Sequence, residues 1–163
     1  MKTNLISVFL LLLISGCSSP KYLPVSDDID VATHGAFIKM IRDEKPTLAG
    51  ELIAIDTATI YYISDKTKSC DSVRVKEFDH FILKYAKPPQ YGWAIPAGVV
   101  LPFIHGLVSY ASLPVHLIVT ISVVGSGENA FKYSDENLSF EKLHWYARFP
   151  QGIPPGIKPN DIH

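Results

Sequence analysis

Charge is missing from the middle of this chain: between Lys87 and Glu128, forty consecutive residues contain no Asp, Glu, Lys or Arg. Overall, 15 basic and 16 acidic side chains leave a net charge of -1. Nucleic-acid binding rests on clustered Lys and Arg, and this chain has no such excess, so nucleic acid is not expected as a partner. Cysteine is scarce too, with only Cys17 and Cys70, which excludes a disulfide-built scaffold. The six histidines (His34, His80, His105, His116, His144 and His163) never stand three or four residues apart, so no metal-ligand spacing is present. Neither a phosphate-cradling loop, a dinucleotide fingerprint nor a Cys-x-x-Cys or HExxH motif occurs. No metal or cofactor is expected, and the histidines read as satisfied core residues. Ser126, between Gly125 and Gly127, lacks the frame of a nucleophile elbow and reads as a turn. Glu51 and Asp56 read as solvated carboxylates at strand ends. The chain is therefore read as a non-enzyme with no catalytic residues.

The amino terminus carries the most specific pattern. Lys2 precedes an apolar run over 5–14 interrupted only by Ser7, and Ile14-Ser15-Gly16 sets small residues directly before Cys17. A positive residue, a short apolar core and a small-residue site form a secretory signal. The run is shorter than the ~20 residues of a spanning helix. The ending ISGC resembles the lipobox of bacterial lipoproteins, including uncharacterised lipoproteins of the envelope. That resemblance implies cleavage before Cys17, a diacylglycerol thioether on its sulfur, and a further acyl chain such as palmitate on the new amino terminus. Two or three chains hold a protein firmly to a bilayer where one holds it marginally. With Cys17 acylated, Cys70 has no partner within the chain, and it reads as a small residue in a loop. Ser18 and Ser19 in place of an acidic residue point to the outer membrane.

Behind a signal peptide over 1–16, residues 17–33 read as a lipidated tether, containing Asp27, Asp28 and Asp30 but little apolar periodicity. Residues 34–163 read as one globular domain. Its first part, 34–87, shows short strands at 36–41, 48–55, 59–63 and 72–76, then a phase break at 77–80, and a further strand carrying Phe81, Leu83 and Tyr85. Four strands, a helical turn and a fifth strand follow the order of SH3-like barrels; a plain antiparallel sheet is the other reading. Gly50 inside the second strand suggests a bulge or bend.

The apolar segment 88–127 admits two readings. Pro96, Pro102 and Pro114 cut it into pieces too short to span a bilayer, which favours a buried helix at 97–111 and a buried β-branched strand at 115–124. The other reading has the segment contacting lipid or a membrane protein. Beyond it, 138–147 reads as a short amphipathic helix presenting Phe140, Leu143 and Ala147. The proline-rich tail from Tyr146 onward is expected to wrap against the body. Arg148, between Tyr146 and Phe149, is the candidate tail-docking or ligand-contact residue, through a planar guanidinium able to stack on rings and bond carbonyls.

Together these features predict an α+β, mainly β fold with an apolar helix or strand and an extended carboxyl-terminal tail. The expected function is a non-catalytic binding or structural module of the bacterial cell envelope. It would meet the membrane through its lipid anchor and engage an envelope protein partner. A membrane-associated assembly component using 88–127, and an envelope hydrolase, are the alternatives.

Overall fold

The computed structural model of the chain describes residues 19–88 and 107–162. The architecture is α+β and mainly β. Among the described residues the strands are β1 (Phe37–Ile41), β2 (Leu48–Asp56), β3 (Thr59–Ser64), β4 (Cys70–Arg74), β5 (His80–Lys84) and β6 (Lys132–Ser134), with an α-helix, α1 (Leu107–Asn129), preceding β6. All six strands form one open antiparallel sheet in the order β4-β3-β2-β1-β5-β6. The predicted phase break is a 3-10 turn at Val75–Glu77. The fourth strand begins at Cys70, two residues earlier than the alternation suggested, so Cys70 opens a strand and does not sit in a loop. Burial raises its thiol pKa, with Asp71 adding to the effect.

Alternation along the strands builds the main core. Ile38 and Met40 of β1, Leu52 of β2, Ile60 and Tyr62 of β3, and Phe81 and Leu83 of β5 point to one face. Leu138, Leu143 and Ala147 cover them from the carboxyl-terminal segment. That segment was expected to be an α-helix; its ordered part is a 3-10 helix, Phe140–Tyr146, which still buries Leu143. A second, smaller core lies around Ile53 and Ala54, with Ile162, Phe149 and Ile153 of the tail packed there. The tail thus wraps the body, as its apolar and proline-rich composition predicted. Gly50 faces the backbone of β3 so closely that a Cβ would fall 1.9 Å from the Ile63 carbonyl oxygen. The bulge itself lies three residues on, where register shifts between Leu52 and Ala54.

Two expectations change. Part of the presumed tether is docked: Leu23 is 2 % exposed, Ser26–Val31 forms a 3-10 helix, and the Lys87 N–H donates to the Pro24 carbonyl at 2.8 Å. More consequentially, 115–124 is not a buried strand. It belongs to α1, where Val115, Ile118, Val119, Ile121 and Val123 are 54–66 % exposed. The β-branched residues there pointed to a strand, but helix propensities differ by only ~0.7 kcal/mol per ordinary residue. A helix also satisfies its backbone groups internally, without a neighbouring strand. Pro114 lies inside α1 and has no N–H to donate, so the carbonyl four residues earlier loses its helical partner. The part of the apolar segment predicted as a helix at 97–106 lies outside the described residues.

Candidate functional site

Strand β2 is nine residues long and β1 only five. Pairing between them ends at Phe37 opposite Glu51, so β2 beyond Glu51 lacks a strand on that side. Two other segments take the vacant positions. The Leu52 N–H donates to the Ala36 carbonyl (2.8 Å), and the Ala36 N–H to the Tyr146 carbonyl (2.8 Å). The tail then adds itself, with the Arg148 N–H donating to the Leu52 carbonyl (3.0 Å) and the Phe149 N–H to the Ile53 carbonyl (2.8 Å). Here the chain passes from the main core to the second one.

Glu51 lies at this crossing and is 5 % exposed, which corrects its reading as a solvated strand-end carboxylate. Its Oε1 accepts from the Gly35 N–H at 2.8 Å and from Arg148 Nε at 2.7 Å, while its Oε2 accepts from an Arg148 terminal nitrogen at 2.7 Å. This is the fork-to-fork geometry that makes arginine–carboxylate pairs strong and directional. Gly35 must approach closely: a Cβ there would lie 1.9 Å from the Leu52 oxygen and 2.8 Å from the Arg148 nitrogen. Tyr22 lies in the same region, and among the described residues its buried hydroxyl has no hydrogen-bond partner. Burial, then the charges of Glu51 and Asp65, drive its pKa far up, while Arg148 pulls the other way.

The three expected contact residues are therefore neighbours with distinct roles. Arg148 ties the tail to Glu51. Phe149 packs in the second core. Tyr146 joins a ring cluster with Tyr85 (centroids 5.5 Å apart) and Tyr133 (5.7 Å). Burial and the bond with Tyr133 push its pKa up to about 12. Arginine's geometry marked Arg148 in the sequence, but its main partner here is a carboxylate 97 residues away. Glu51 itself was missed, because a lone glutamate among apolar residues carries no spacing signal.

A cleft of about 380 Å³ opens beside this crossing, walled by His34, Tyr85, Trp145, Tyr146, Arg148 and Pro150. Trp145 is largely exposed. A second groove of about 430 Å³ follows the tail from Arg148 to Pro155. The cleft offers aromatic faces and a guanidinium whose charge Glu51 already balances, a surface suited to contact more than to proton transfer. Among the described residues, the only hydroxyl bonded to a histidine ring is that of Thr33, on adjacent His34.

Other candidates are scattered. Cys17, His105 and His163 lie outside the described residues. None of the four described histidines is buried: His34, His80 and His116 are exposed and His144 is half-buried, which overturns their reading as core residues. Among the described residues, no three His, Cys, Asp or Glu side chains converge as metal ligands. Ser126 lies in the last turns of α1 and not in a turn between strands, its carbonyl accepting from the Ala130 N–H at 3.0 Å. Asp56 is exposed at the end of β2 and accepts from the Thr57 N–H at 2.7 Å. The chain matches no family model, no curated protein and no solved structure.

Proposed function

We propose that this chain is a lipid-anchored, non-catalytic binding or structural module of the bacterial cell envelope, held at the outer membrane through Cys17. The observation that carries the reading is the order of its first seventeen residues: a positive residue, a short apolar run, then Ile14-Ser15-Gly16 against Cys17. Short acyl anchoring suits a body that starts only a few residues later, since Leu23 is already buried. The aromatic cleft beside Trp145 and Tyr146 is the surface through which an envelope partner would be bound.

The test is mass spectrometry of the amino-terminal peptide from the membrane fraction of a bacterium expressing the full chain. The expected result is a chain beginning at Cys17 that carries a diacylglyceryl group and an amide-linked acyl chain. An unmodified thiol at Cys17, or an intact precursor in the cytosol, would overturn the proposal.

A further inference from the structure

We infer that α1 is a second membrane attachment, lying immersed in the lipid bilayer at the end of the body where the segment around Lys21 docks. The inference rests on the lipoprotein reading only for the identity of the nearby anchor; the helix carries its own evidence.

The described apolar side chains of α1 stand on the outside of the molecule. At 100° per residue, Ile121, Ile118, Val115, Val119 and Val123 cover an arc of about 200°, and each is more than half exposed. A helix packed on a protein core needs an apolar stripe of only ~100° facing that core. Ser122 and Ser126 fall within the arc, and helical serine hydroxyls can bond a carbonyl of the preceding turn. His116 falls just beyond the arc, on the side of the half-buried Thr120 and Gly127, while the third half-buried position, Gly125, has no side chain and lies within the arc. Among the residues whose exposure is described, the helix thus presents a wide apolar surface outward.

The kind of occupant follows from charge. A protein partner tolerates charged residues around the rim of its contact, whereas hydrocarbon penalises each one heavily. The forty uncharged residues between Lys87 and Glu128 meet the stricter condition. Among the described residues no helix is long and apolar enough to cross a membrane, and the connections agree with an excursion that returns to its own side. The chain leaves the sheet after β5 at Lys87 and re-enters it at Ala130 and Phe131. Tyr85 joins the two points, its N–H donating to the Phe131 carbonyl (3.2 Å) and its hydroxyl to the Ala130 carbonyl (3.3 Å).

The amino-terminal segment arrives at the same place. Lys87 Nζ donates to the Lys21 carbonyl at 2.5 Å, and Val25 bridges to Lys87. Cys17 is four residues before Lys21 and so within about 14 Å of it. Lys84 pairs with Lys132 beside this junction, so four lysines stand where long cationic side chains can reach lipid phosphates. Anchor, exit and return therefore face one bilayer surface.

Depth measurement tests this directly. In a Cys70→Ser background, Val119→Cys is labelled with an environment-sensitive fluorophore in the full chain. The labelled protein is reconstituted in phosphatidylethanolamine–phosphatidylglycerol vesicles, with Lys39→Cys on the exposed side of β1 as reference. The expected result is blue-shifted emission at 119, strong quenching by doxyl-labelled lipid, and iodide quenching several-fold weaker than at 39. Iodide quenching equal to that at 39 would overturn the inference. Shielding from both quenchers would overturn it in favour of a second copy or another protein surface. Ile121→Cys repeats the test should the first variant fail to fold, with far-UV circular dichroism as the check. A Cys17→Ala version and the mass of the amino-terminal peptide separate the two attachments. A bare Cys17 with a lipid-embedded 119 sinks the anchor alone, and a lipidated Cys17 with an iodide-accessible 119 sinks the helix alone.

Discussion

Glu51 and Arg148 show how one pair of side chains fixes the path of a whole tail. A buried carboxylate is costly to leave unpaired, and truncating one member of such a pair typically loses ~3–5 kcal/mol. Arg148→Ala is therefore expected to lower stability by about that amount and to loosen residues 146–162, read as a lower urea midpoint and faster amide exchange at Phe149. An unchanged melting curve with loss of partner binding would instead make Arg148 a ligand residue. His80 is a different case, because its pair with Asp135 (Nδ1 to Oδ2, 2.7 Å) lies at the surface. The hydrogen bond His80 donates to Asp135, then the Asp135 charge, raises the His80 pKa above the ordinary 6.5, and the same bond holds Asp135 below its ordinary 3.8. A raised histidine stabilises the fold below 6.5 and loses that effect as pH rises through the shifted value. A lowered carboxylate stabilises above 3.8 and loses its effect as pH falls through its own shifted value. Asp135→Asn should thus lower the melting temperature slightly between about pH 4 and 6.5, and the two curves should converge at alkaline pH. A difference that persists unchanged at pH 9 would assign the effect to the Asp135 contact with the Phe81 N–H.

Among the elements, the mismatch between a nine-residue β2 and a five-residue β1 organises the carboxyl-terminal part of the fold. It leaves a stretch of β2 backbone unpaired, and residues 36 and 146–149 complete the hydrogen bonding. Gly35 lets the three segments meet, so Gly35→Ala should be worse than an ordinary surface substitution. The added methyl meets backbone atoms that cannot rotate away, and a loss of about 1–3 kcal/mol is expected from such overpacking. Denaturant unfolding checks it; a loss under about 0.5 kcal/mol, the ordinary range for surface positions, would mean the crossing has slack. The strands were legible because alternation records which face is buried, as Ile38 and Met40 around Lys39 illustrate. Only the start of α1, at 107–111, falls within the helix expected at 97–111. A run like VHLIVTISVV is apolar in any period, and composition cannot separate a two-sided buried strand from a helix apolar around most of its surface.

At the scale of the molecule, the features converge on one end of the sheet. The segment around Lys21, the departure at Lys87 and the return at Ala130 lie together there, while the His80–Asp135 pair stands at the opposite end of β5 and β6. In the proposed arrangement the Cys17 lipid and α1 hold the same face to the bilayer, and the cleft beside Trp145 belongs to the body they hold. Two attachments would restrict tumbling where a single flexible tether would not, because the docked residues 21–25 leave little slack after Cys17.

The sequence by itself determined the residue order on which the export proposal rests, the run of strands, the uncharged middle and the choice of Arg148 as a residue to watch. Each is written in local order or spacing, and short-range sterics and hydrophobic alternation are enough to read it. Only the tertiary structure decided that Glu51 is buried and paired, that Gly35 admits the tail, that Leu23 belongs to the core, and that the apolar middle contains an exposed helix. Those outcomes depend on groups far apart in the chain competing for the same unfilled backbone positions and the same shelter from water. No local pattern encodes which of them wins.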